Sequence, residues 1–180
     1  MKITKEYPGL VLKDYCYEFQ GSIESEAEIV IDLEGRWLKV TGSLTAKTYL
    51  KAGGGIEAGG GIEAGKGIEA GGGIEAGEGI EAGEGIEAGG GIEAGEGIKA
   101  GWGIKAGGGI EAGEGIKAGG GILSGLYVRA QKVIKFKYNL WAGTATWKQP
   151  GGEDCEVVAL RVDGVVKSGT VRLLATDKEA

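Results

Sequence analysis

The chain has 180 residues and a formal net charge of −6, with 40 glycines, two cysteines and no histidine. The glycine excess lies far outside ordinary globular usage, and the negative balance argues against direct nucleic-acid binding or attachment to a lipid surface. Without histidine there is no His-based general acid–base catalysis, no Ser-His-Asp or Cys-His arrangement and no typical catalytic zinc site. The expectation is a non-enzymatic protein that needs no cofactor and no metal.

Residues 1–37 read as a non-repetitive N-terminal cap. Its first residues, Met1-Lys2-Ile3-Thr4-Lys5-Glu6, form no apolar leader, and no stretch of the chain approaches the ~18 apolar residues of a membrane span. No membrane partner and a cytoplasmic location are therefore expected. Tyr7-Pro8-Gly9 is a turn signal, Ala27 to Leu33 is strand-like in its β-branched content, and Glu34-Gly35-Arg36 is the following turn. Cys16 and Cys155 stand far apart in no metal-type spacing and read as idle thiols.

From Lys51 to Ile122 the chain repeats one six-residue unit twelve times, [Lys/Glu]-Ala-Gly-x-Gly-Ile. Leu38, Leu44 and Leu50 extend the isoleucine series backwards, and Val128, Ile134 and Leu140 extend it forwards. The array thus spans residues 38–145, with terminal repeats that drift from consensus where they meet a cap. Residues 146–180 form the C-terminal cap. There the alternating runs Glu156 to Val162 and Val165 to Leu174 flank Asp163-Gly164, a strong β-hairpin signal.

A six-residue period with glycine at the third and fifth places fails the every-third-residue rule of collagen, and its glycine content rules out a helix. A β-solenoid fits. Ile-Glu-Ala supplies a short strand with Ile and Ala inward and the charge outward, and Gly-x-Gly supplies the corner, where glycine can take positive φ. The variable x residues sort cleanly by every third repeat. One set is Gly54, Gly72, Gly90 and Gly108; the second is Gly60, Glu78, Glu96 and Glu114; the third is Lys66, Glu84, Trp102 and Gly120. The predicted fold is an all-β triangular solenoid of three hexapeptides, about 18 residues, per coil. About six coils at a strand spacing of ~4.8 Å make a rod of roughly 30 Å, with non-repeat β caps at both ends.

These repeats resemble the hexapeptide-repeat β-solenoid proteins, and more narrowly the uncharacterised bacterial and phage proteins with tandem GIEAG repeats. The resemblance covers about 100 of the 180 residues and implies a solenoid, with no activity attached. The sequence departs from the hexapeptide acyltransferases, whose small inward residue precedes the aliphatic one by two places. Here the small residue, Ala, follows it by two.

Three surfaces stand out. Glu57, Glu75, Glu93 and Glu111 form one column and Glu78, Glu96 and Glu114 a second, so that seven carboxylates share the second face with no intervening lysine. Like charges on neighbouring strands destabilise a sheet, and the functional reading is a negative surface for a basic protein partner. The first face instead mixes Lys51, Glu69, Glu87 and Lys105. Trp102 is a candidate interface anchor. Gly54, Gly72, Gly90 and Gly108 make a flat corner open to close approach, and this corner or the caps offer routes to a homo-oligomer. With the company kept by look-alike proteins, the acidic face implies a phage or mobile-element inhibitor that imitates nucleic acid before a host defence system. The alternative is a self-associating structural scaffold.

Overall fold

The computed structural model describes residues 1–175. The described chain is all β apart from one 3-10 turn at Gly152–Cys155. Each hexad gives a three-residue strand, such as Ile56–Ala58 and Ile62–Ala64. From Ile56 to Ile122 every such strand pairs in parallel with the strands 18 residues before and after it, in the middle of the array Ile on Ile and Ala on Ala. The strands therefore stack in three columns. We call the column through Leu50–Ala52 the first face, that through Ile56–Ala58 the second, and that through Ile62–Ala64 the third.

The core is a thin stack of repeat isoleucines and alanines. Every repeat Ile from Ile56 to Ile122 is at most 2% exposed. One buried Ile contributes about 1.5–3 kcal/mol, yet no coil can bury its own upper and lower edges, so stability comes from stacking on neighbours.

The repeat glycines are needed for a different reason from the expected one. None of them has positive φ. From Gly59 onward, at the first glycine of each Gly-x-Gly, a Cβ would strike the carbonyl oxygen of its counterpart in the preceding coil, at 2.2 Å for Gly77 and 2.1 Å for Gly95. Corner backbone from successive coils is pressed together, and the corners carry their own hydrogen-bond ladder, for example Gly90 N–H donating to the Gly72 carbonyl at 2.9 Å.

Winding continues beyond 38–145. The second face holds nine parallel strands, from Cys16–Phe19 to Thr170–Leu173, so about nine turns replace the expected six. In the N-terminal cap Tyr17, Ile23 and Ile29 sit over Leu38, Leu44 and Leu50, each 21 residues later. Their own spacing is six. The phase is interrupted by three extra residues in the turn at Glu34 and Gly35, whose φ values are +55° and +78° and which the Arg36 N–H closes onto the Leu33 carbonyl at 3.0 Å. Leu10–Lys13 then folds back antiparallel on Cys16–Phe19 and ends the column.

At the other end the Asp163-Gly164 hairpin does not form. Arg161–Ser168 runs straight through that dipeptide as one strand parallel to Val133–Trp141, and Glu156–Ala159 pairs in parallel with Thr170–Leu173. The open edge of Val133–Trp141 offers a ladder to both halves of the run. Gly164, with φ +148°, gives room to the ring of Phe136, which a Cβ there would meet at 2.4 Å. Cys16 and Cys155 are free thiols.

Candidate functional surface

The second face brings Glu57, Glu75, Glu93 and Glu111 into direct register, closed by Lys39 before Glu57 and by Arg129 after Glu111. The carboxylates are consecutive rungs about 4.8 Å apart. Lys39 pairs with Glu57. Arg129 turns instead to Glu153 and Glu156, at 3.7 and 3.9 Å, and lies 4.1 Å over the Tyr127 ring. Glu75, Glu93 and Glu111 have no cation within ion-pair distance among the described residues. Desolvation by its surroundings, then the carboxylates of Glu57 and Glu93, push the Glu75 carboxyl above its ordinary value against the opposing pull of Lys39.

Glu78, Glu96 and Glu114 also stack, joined by the corner hydrogen bonds from Glu96 N–H to the Glu78 carbonyl and from Glu114 N–H to the Glu96 carbonyl. They stand on the corner between the second and third faces. There they form one wall of a groove of about 580 Å³ whose other wall carries Glu63, Glu81, Lys99 and Lys117. The two glutamate columns thus border different surfaces, and lysines do face the corner column. Glu114 pairs with Lys132 at 2.6 Å.

The glycine corner between the first and second faces is tight. A Cβ at Gly54 would lie 2.1 Å from the Arg36 carbonyl oxygen, and at Gly72, Gly90 and Gly108 it would meet the next glycine's nitrogen in the preceding coil at 2.8, 2.9 and 3.0 Å. Packing between coils is thus a sufficient reason for glycine here. Aromatics also occupy both ends of this corner: the Trp37 ring lies against Gly55 and Gly73, and Tyr127 against Gly109. The flat stretch left open is short, around Gly90 and Gly91.

Trp102 is 66% exposed on the corner between the third and first faces. It has company that the repeat pattern did not disclose. Leu123 and Trp141 are consecutive rungs of the first face, and Tyr138 follows two coils after Trp102 on the same corner; all three are exposed. Extending the six-residue phase past Ile122 would have marked Leu123 and Trp141 as outward positions.

No family model, curated protein or solved structure matches this chain.

What the surface can do follows from its own groups. Among the described residues no three Cys, Asp or Glu side chains gather closely enough to hold a metal ion. Among those residues, too, no helix is long and apolar enough to cross a membrane. The exposed chemistry is carboxylate, ammonium and indole at fixed spacing on a rigid frame, which suits recognition.

Proposed function

We propose that the protein is a non-enzymatic interaction scaffold whose second face docks on a basic protein surface. The observation that carries this reading is the in-register row Glu57, Glu75, Glu93 and Glu111, with three of its members left without a cation among the described residues. Such stacking costs stability, and a basic partner would return that cost as attraction, with fast, salt-sensitive association. A straight row of negative charges a few ångströms apart is also what a phosphate backbone presents. The fitting partner is a protein whose basic groove otherwise holds nucleic acid, as in a host defence complex met by a phage or mobile-element inhibitor.

The test uses the protein as bait in extracts of its native host, beside a Glu75→Lys/Glu93→Lys variant whose fold is checked by circular dichroism. The expected partner is retained at about 50 mM salt, is released by about 0.5 M, and binds the variant at least tenfold more weakly. Equal retention by both proteins with the same salt profile would sink the reading.

A second reading, a structural scaffold stacking end to end, draws on exposed apolar residues at both ends. These are Val11, Leu12 and Tyr15 at one end and Val165, Val171 and Leu173 at the other. Its signature is a sedimenting mass that keeps growing with concentration.

A further inference from the structure

We propose that two copies of the chain pair through their third faces, antiparallel, about a two-fold axis between the coils that carry Glu81 and Lys99. The outward residues of this face stack in the order Glu24, Thr45, Glu63, Glu81, Lys99, Lys117, Lys135, Asp163, and reversal sets the outermost pair, Glu24 and Asp163, acid against acid at the two rims. Between those rims the signs are segregated: acid at Glu63 and Glu81, base from Lys99 to Lys135. Reversing the column therefore sets Glu81 against Lys99 of the second copy, Glu63 against its Lys117, and Thr45 against its Lys135. A parallel arrangement would set like on like.

The other faces lack this property. The second face is glutamate throughout its middle and reverses onto itself as acid on acid. The first reads Lys51, Glu69, Glu87, Lys105 and reverses as Lys on Lys and Glu on Glu. Opposite charges on two successive rungs of an isologous two-fold contact belong to the third face alone.

Within one copy Lys99 already reaches Glu81, but Glu63, Lys117 and Lys135 have no opposite charge within ion-pair distance among the described residues. The second copy brings Glu63 and Lys117 to each other, and Lys135 meets the Thr45 hydroxyl. Trp102, 66% exposed on one edge of this face, lies at the level of Lys99 and so comes beside its own symmetry mate. It is an aromatic anchor of the kind that dominates interface energies. Along the other edge Glu78 and Glu96 meet their own reversed copies, where water and salt screen them but reduce the gain.

A face about 20 Å wide and 30 Å long covers about 600 Å² per copy. The total of about 1,200 Å² stands at the low end of specific interfaces. The dimer is closed, weak and salt-sensitive.

Sedimentation equilibrium over a concentration series decides it, at about 20 mM salt and again at about 0.5 M. The expected result is a dimer at low salt that dissociates at high salt, with Trp102→Ala weakening it severalfold. Glu63→Lys/Glu81→Lys and Lys99→Glu/Lys117→Glu should each raise the dissociation constant at least tenfold. Mixing those two variants should restore a one-to-one complex. The fourfold exchange, which keeps the composition and again reverses onto itself, should dimerise alone. The unmodified protein's salt dependence tests the same contact without any substitution. A protein monomeric at every concentration, a dimer indifferent to salt and to the exchanges, or a mass growing beyond two copies overturns the proposal. None of these variants touches Glu75 or Glu93, so failure here is separable from failure of the acidic-face reading.

Discussion

At Gly89 an added methyl group would sit 2.2 Å from the Gly71 carbonyl oxygen in the preceding coil, whereas at Gly79 the nearest atom, the Gly97 carbonyl oxygen, would be 3.3 Å away. Both lack positive φ, so the comparison isolates close approach from backbone strain. Gly89→Ala is expected to cost about 1–3 kcal/mol through overpacking, and Gly79→Ala less than about 1 kcal/mol, both read from urea unfolding. Equal losses would remove the packing explanation. Glu75 makes a different case. Its carboxyl is raised by desolvation and by Glu57 and Glu93, so the folded state holds that proton more tightly than the unfolded chain. The stabilising contribution is complete below the unfolded value and disappears as pH rises through the folded one; at neutral pH the charged group is a net cost. Glu75→Gln should therefore raise the melting temperature at pH 7 by about 1–2 °C, since a like-charged cross-strand contact costs up to about 1 kcal/mol. The advantage should vanish below about pH 4, and melting curves across pH check it. Which residues face inward was legible from the period alone. Why the glycines are glycine was not, because the clash joins residues that are 18 apart in the chain but touch in space, and it involves no side chain.

At the scale of the element, the interchangeable unit is the coil and not the hexad. Removing residues 75–92 takes out one full turn and leaves every downstream strand on its own face. Removing residues 75–80 shifts all later strands by one face and carries Glu96 and Glu114 into the tight glycine corner, where a Cβ at Gly90 would meet backbone at 2.9 Å. The 18-residue deletion is expected to keep a cooperative transition within a few degrees of the parent, and the six-residue deletion to melt at least about 10 °C lower, a loss of several kcal/mol. Indistinguishable curves would contradict the three-per-coil frame. The sequence also shows how element boundaries hide. Tyr17, Ile23 and Ile29 keep the six-residue spacing, yet stepping back from Leu38 in sixes lands on Asp32 and Glu26. The three residues added around Glu34-Gly35 break the phase, so coils resemble a cap. Asp163-Gly164 misleads in the opposite way. Local turn chemistry predicts a hairpin, but the long edge of Val133–Trp141 captures the whole run, a tertiary choice that no short window contains.

For the whole molecule, charge is distributed along the rod as well as around it. Residues 56–97 hold ten glutamates and one lysine, and residues 98–141 hold seven basic residues and two glutamates. A net charge of −6 conceals this polarity, which is what makes the third face complementary to its own reverse. The triangular architecture and the placement of the glutamate columns could be read from the variable positions. That the corner column shares a groove with the third face depends on how a corner bends, and the order of residues does not state that. The pressed glycine corners also set how such a surface can change. Outside the tight corner, the outward strand residue and x are the two letters in six that the frame leaves free, each rung about 4.8 Å from the next. The solenoid is in effect a raster, on which a substitution redraws one pixel of charge or shape while the lattice beneath it keeps its spacing.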